Sequence, residues 1–143
     1  MNEIVAAYIA GIIDGEGCIR IGKFPTKNKT PSGFQFRVVV EVTMCEKETI
    51  EFLSVNCHRN LQTRKLKSGK IAYKVVWYNG FAFDLLQRIV PYLHGKKLQA
   101  EEAMKCHALM PGRGRVMSDE VIAQIESYRT HISWLKSSEA LRC

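Results

Sequence analysis

From Phe34 to Met44 an apolar residue falls at every second position. Phe34, Phe36, Val38, Val40, Val42 and Met44 share one face; Gln35, Arg37, Val39, Glu41 and Thr43 share the other. A period of two sustained this long is a strand with one buried face. The chain must therefore build a sheet with one apolar side, which is what antiparallel strands allow.

The neighbouring segments supply partners for that strand. Cys18 to Lys23 alternates as well, with Ile19 and Ile21 on one face and Arg20 on the other, across a loop from Pro25 to Gly33. A second hairpin is expected from Asn60 to Lys67 and Lys70 to Tyr78, with Ser68-Gly69 as a two-residue turn. The helices expected are 3–14, 46–55, 81–90, 97–109 and 118–136. Ser118 is the N-cap of the last, Asp119 and Glu120 lie in its first turn, and Val121, Ile125, Tyr128, Ile132 and Leu135 form its apolar stripe. Pro111 to Gly114 is a loop. The first helix is apolar nearly all round, so burial on more than one side is expected. The order is α+β: a single domain over 1–143 with hairpins at about 18–44 and 60–78. Two similar helix-hairpin units suggest a pseudo-symmetric αββαββα half-barrel with additional C-terminal helices.

The polar faces of both hairpins are basic. The chain carries 21 Lys and Arg against 14 Asp and Glu, a net charge of +7. The second hairpin concentrates Arg59, Arg64, Lys65, Lys67, Lys70 and Lys74, with no acid between His58 and Tyr78. That bias points to a polyanion, and nucleic acid rather than a membrane fits a curved sheet lying on a groove. The apolar run from Ile4 to Ile13 is too short to span a bilayer. It follows Glu3 and ends in Asp14-Gly15-Glu16-Gly17, so it does not read as a secretion signal. The five cysteines have no C-x-x-C spacing. Neither a disulfide framework nor a zinc site is expected, and reduced thiols in an intracellular setting are the default.

The most specific segment is Ile9-Ala10-Gly11-Ile12-Ile13-Asp14-Gly15-Glu16-Gly17. Its glycines follow a helix, whereas a phosphate-binding loop follows a strand and opens a helix. Ala6 with Ala10, and Ala7 with Gly11, are small pairs at i,i+4 that let a second helix approach closely. These four residues are the expected dimer interface. If two copies meet there, each delivers a carboxylate to one place, and two carboxylates repel unless a cation lies between them. Hard oxygen ligands favour Mg2+, with Mn2+ or Ca2+ as substitutes in binding.

This segment resembles the nine-residue motif of the LAGLIDADG homing endonucleases, with Glu16 in place of the second Asp and Gly15 in place of an alanine. The resemblance extends through the helix-hairpin order over about residues 1–110, and with it a saddle-shaped antiparallel sheet is expected. One motif copy implies a homodimer cutting double-stranded DNA at a long, near-palindromic target. It also implies an intracellular protein of bacterial, phage or organellar origin and a role in intron homing. The resemblance puts direct metal ligation on Glu16, helped by the carbonyl of Gly15, and gives Asp14, beside it in the catalytic group, the task of organising the turn. Lys96, after Pro91-Tyr92-Leu93, resembles a lysine near the family's active site, with Lys97 the alternative by one register. The family's glutamine after the second strand has no match in Thr43-Met44-Cys45-Glu46, which leaves the water-ordering residue unassigned.

Strand faces give the expected DNA contacts. Gln35, Arg37, Gln62, Arg64 and Lys74 would face bases in the major groove, and Arg20 on the same polar face is a further DNA contact. Lys23, Lys27, Lys29, Lys67 and Lys70, in or beside turns, would meet phosphates. Two other readings stay open: a non-cleaving relative acting as an RNA-splicing maturase on intron RNA or as a DNA-binding regulator, and a small basic interaction module.

Overall fold

A computed structural model of the chain describes residues 1–27, 30–112 and 115–140. Lys29, Arg113, Gly114 and Cys143 lie outside them. The elements run α1 (Glu3–Glu16), β1 (Gly17–Pro25), β2 (Phe34–Met44), α2 (Lys47–Asn56), β3 (Gln62–Lys65), β4 (Ile71–Tyr78), α3 (Gly80–Ile89), a 3-10 turn (Val90–Tyr92), α4 (Lys97–Leu109) and α5 (Asp119–Ala140). This is the α+β, αββαββα arrangement with the 3-10 turn and two further α-helices behind it.

The strands form one open antiparallel sheet in the order β1-β2-β4-β3. The two hairpins join through β2 and β4, with Thr43 opposite Lys74, Glu41 opposite Val76 and Val39 opposite Tyr78. The alternation in β2 sorts as the pattern requires: Phe36, Val38, Val40 and Val42 are buried. They meet Ile19 and Ile21 of β1, Val75 and Trp77 of β4, and apolar residues from every α-helix, including Ile9, Leu53, Leu86, Ala103 and Ile125.

Three local expectations are corrected. First, α1 continues two residues past Asp14. Gly15 lies inside the last turn, and the Gly17 N–H closes it on the Ile13 carbonyl. A Cβ on Gly17 would lie 2.8 Å from both Cα and O of Ile13, so the chain leaves the helix here by a route only glycine allows. Second, α1 buries one face only. Ala6, Ile9, Ala10 and Ile13 face the core, while Ile4 and Tyr8 are 81% and 52% exposed. Ala6 and Ala10 therefore serve packing within the chain, and of the four small residues only Ala7 and Gly11 remain on the outer face. Third, the β3–β4 turn has three residues, Lys67 to Gly69. The Leu66 N–H bonds the Lys70 carbonyl at 2.8 Å, and Gly69 sits at φ 85°. A turn ending in one left-handed glycine is the usual three-residue solution, so a glycine beside Ser68 did not fix the loop length.

Candidate functional site

The motif helix is anchored at both ends. At its start, the Asn2 side chain accepts from the Val5 N–H at 2.9 Å. At its end it is held by a reciprocal clasp with the segment before α4. Asp14 Oδ2 accepts from the His94 N–H at 2.8 Å, and Oδ1 accepts from the Lys96 N–H at 2.9 Å. In return Lys96 Nζ donates to the carbonyls of Ile13 and Asp14, at 3.0 Å each. A cation is favoured at the C-terminal end of a helix dipole, and Lys96 supplies one. The half-buried Lys96, not the exposed Lys97, is thus the lysine brought to the motif.

The clasp leaves Glu16 free. Its side chain is exposed, and among the described residues nothing hydrogen-bonds its carboxylate. It opens on a shallow depression lined by Thr43, Met44, Cys45, Glu46, Leu66 and Ala72. Glu46 is occupied as the N-cap of α2, accepting from the N–H groups of Glu48 and Thr49. Hydrogen bonding from Thr49 holds its carboxyl below the usual carboxylate range. As a cation ligand Glu16 has the right chemistry, a hard oxygen without an internal partner. Among the described residues no group of three His, Cys, Asp or Glu could hold a metal.

From this end the polar face of the sheet runs outward in rows. Thr43, Lys74 and Gln62 share one row; Cys18, Glu41 and Val76 the next; Arg20, Val39 and Tyr78 the third; Gly22 and Arg37 the fourth; Phe24 and Gln35 the last. Lys74 Nζ lies 2.8 Å from Glu41, and Arg20 Nε 3.9 Å from it. The Arg37 guanidinium lies 5.0 Å from the centre of the Phe24 ring and 5.6 Å from that of Tyr78. Arg20 reaches the Phe24 ring at 5.9 Å. Gly22 makes room for this cluster: a Cβ there would run into the Phe24 ring and lie 2.9 Å from the Arg20 guanidinium. Cations over aromatic faces keep their charge while losing freedom.

The remaining expected contacts divide. Gln62, Arg64, Lys67 and Lys70 are exposed on the second hairpin, and Lys27 is exposed beside the first turn. Lys23 is a correction. It pairs with Phe36 in the ladder, so it sits at a core-side position of β1; its ammonium reaches Glu126 of α5 at 2.9 Å and lies 4.2 Å from the Phe34 ring. That hydrogen bond, with a second from Arg129, holds the Glu126 carboxyl below the usual range. The strand faces put Glu41 and Tyr78 on this side, but neither their contacts with Arg20, Arg37 and Lys74 nor the part of Phe24 was marked by the sequence. Their roles depend on strand register, which alternation within single strands does not give. Burial pushes the Cys57 and Cys106 thiols up to about 11, which keeps both protonated.

No protein-family model matches the sequence, and no curated protein does. Solved structures match in fold. The homing endonuclease I-CvuI, in complex with its target in the presence of 2 mM Ca, gives a TM-score of 0.77 at 18% identity, over 93% of this chain and 82% of that one. The archaeal intron-encoded homing endonuclease I-Vdi141I, complexed with DNA, gives 0.76 at 14% identity, over 93% and 84%. The LAGLIDADG homing endonuclease I-LtrWI, bound to target DNA, gives 0.65 at 19% identity, over 91% of this chain but 43% of that one. The fold of the chain is that of the homing endonucleases.

Proposed function

We propose that this protein is a site-specific double-strand DNA endonuclease of the LAGLIDADG homing type, acting as a homodimer with divalent metal ions inside the cell. The observation that carries the reading is the free Glu16 carboxylate, held by the Asp14–Lys96 clasp at the end of a helix and opening at one end of a cationic sheet face. An isolated exposed acid would mean little, whereas one carried on a helix end that four hydrogen bonds hold, beside a surface suited to a polyanion, is arranged for chemistry on it.

Dimerisation is supported by the outer face of α1. Ile4, Ala7, Tyr8 and Gly11 are exposed, and a Cβ on Gly11 would meet nothing within 4 Å. A second copy packed there would bring two Glu16 carboxylates together near a two-fold axis. The proportion of I-LtrWI that this domain covers, 43%, fits a unit that works in pairs. No helix among the described residues is long and apolar enough to cross a membrane.

Glu16, with the Gly15 carbonyl, would hold Mg2+, for which Mn2+ or Ca2+ could substitute in binding. A bound divalent ion supplies Lewis acidity toward water and phosphate oxygens. Asp14 and Lys96 hold the end of α1 and so position Glu16. The sheet face orients the duplex, and twofold symmetry assigns one strand to each protomer and a near-palindromic target to the pair.

The test is cleavage of a randomised duplex library with and without Mg2+, comparing the parent with Glu16→Gln. Mg2+-dependent cuts at one near-palindromic sequence are expected, lost in a variant that still folds and binds. Selective binding without cuts in either protein would replace this reading with a DNA-binding regulator, or with a maturase if intron RNA is preferred.

A further inference from the structure

One residue on the sheet face has the wrong sign for its surroundings. Glu41 lies in the second row from the Glu16 end, the one acid among the polar-face residues of the four strands. Facing a phosphate polyanion, it weakens attraction to every sequence alike. It is also engaged on both sides. Its side chain is 21% exposed, with Lys74 at 2.8 Å and Arg20 at 3.9 Å. Lys74 and Arg20 come from the strands on either side, so Glu41 ties β1, β2 and β4 together across the face. Ion pairs this exposed add little to stability, so the fold does not account for them. Their effect falls on geometry: two long cations that would otherwise sweep the groove are held in one place.

We infer that Glu41 is a specificity-determining positioning residue, which with Arg20 and Lys74 selects one short block of the DNA target and lowers affinity for all other sequences. This rests on the endonuclease reading. A carboxylate on a groove-facing strand accepts from the exocyclic amino group of cytosine, while Arg and Lys donate to the O6 and N7 of guanine. The cluster therefore takes a block in which an amino group faces Glu41 and guanine faces the flanking cations. A sequence that places a carbonyl oxygen opposite Glu41 sets the carboxylate against an acceptor, which is rejection built into the surface. Position along the strand adds a second constraint. Glu41 lies four residues closer than Arg37 to the Glu16 end, roughly 13 Å at the strand rise. With strands running along the groove, that is about four base pairs at 3.4 Å each.

The experiment measures binding in Ca2+ to a randomised half-site library and to a random duplex, across several salt concentrations. It compares the parent with Glu41→Gln and, separately, Lys74→Gln. For Glu41→Gln, binding to random duplex is expected to tighten about 3- to 10-fold, since a repulsive charge is removed and two cations are released. Discrimination should fall about 10-fold within one block of two or three base pairs, displaced toward the cut from the block that responds to Arg37→Ala. Lys74→Gln should lose the same block without the gain in general affinity. A preference profile unchanged in both variants overturns the inference, as does an equal loss of affinity for selected and random duplex, which a merely structural residue would give. If the parent itself shows no sequence preference, the endonuclease reading falls and this inference with it. If the parent is selective and the variants match it, only the inference falls.

Discussion

The two hairpins carry similar charges and hold them differently. In the first, Arg20 is paired with Glu41, Lys23 with Glu126, and Arg37 lies against Phe24 and Tyr78. Nine residue pairs align its strands, and α5 lies along β1, with Arg129 donating to the Ile21 carbonyl at 3.2 Å. In the second, only four pairs align β3 with β4, all four residues of β3 are exposed, and among the described residues Lys74 is the one member of the basic run with an ion pair. Held cations meet an acceptor in one geometry and can tell bases apart. Loose cations follow phosphate charge wherever it lies. The first hairpin and β4 thus suit readout, and the outer edge of the second suits general attraction.

The largest expected effect separates both hairpins from the chemistry they serve. Asp14→Ala removes the acceptor for two backbone N–H groups and should cost about 2–3 kcal/mol of stability, as expected for lost hydrogen bonds to a charged group. With Glu16 no longer held, cleavage should drop at least 100-fold even where the protein is fully folded, since small misplacement of a catalytic group has costs of that order. Selective duplex binding should survive, because the hairpins do not depend on the clasp. Denaturant melts, cleavage rates and binding profiles on one preparation check all three. If binding selectivity vanishes along with cutting, the hairpins are not independent of the motif end.

Next in size is the contrast between the hairpins themselves. Arg37→Ala should relax preference at a few base pairs by about 1–3 kcal/mol and leave binding to random duplex nearly unchanged. The double change Lys67→Ala with Lys70→Ala should weaken binding to all sequences evenly and reduce the slope of log K against log salt by about 2. Salt titrations on selected and random duplexes distinguish the two. If the lysine pair changes the sequence profile and Arg37 does not, the division of labour between held and loose cations is reversed.

What the sequence disclosed follows the same division. Alternation in β2 gave the buried face, the helices were placed within a few residues, and the motif gave Asp14 and Glu16 by position. Each of these is a local signal. What stayed hidden is set by register and by contacts distant in the chain. Lys23 stands beside a turn in sequence, yet parity in the β1–β2 ladder turns it toward α5. Ala6 and Ala10 share the i,i+4 spacing of Ala7 and Gly11, yet only the position of the core decides which pair faces outward. Asp14 and Lys96 could be marked separately, but their mutual clasp spans 82 residues and no local pattern announces it. Glu41 was visible as a residue on the polar face; its pairing with Lys74 needed the β2–β4 register.

The smallest expected effect tests whether α5 is what steadies the first hairpin. Glu126 joins Lys23 of β1 to Arg129, which in turn holds the Ile21 carbonyl. Both ion pairs are solvent-exposed, so Glu126→Gln should cost only about 0.2–1 kcal/mol at neutral pH, less at high salt. The sign of its pH dependence is fixed by the lowered carboxyl. A folded-state value below the ordinary 4.5 means that the folded chain keeps this group ionised where the unfolded chain would protonate it. The contribution is therefore fully present above the ordinary value and is lost as pH falls through the folded one. Parent and Glu126→Gln should melt apart at pH 7 and converge in acid, a difference read by thermal unfolding across pH. Convergence without any loss of sequence discrimination at neutral pH would mean that α5 braces the fold alone. A parallel loss of discrimination would extend the rigid readout surface to include the helix that lies along its edge.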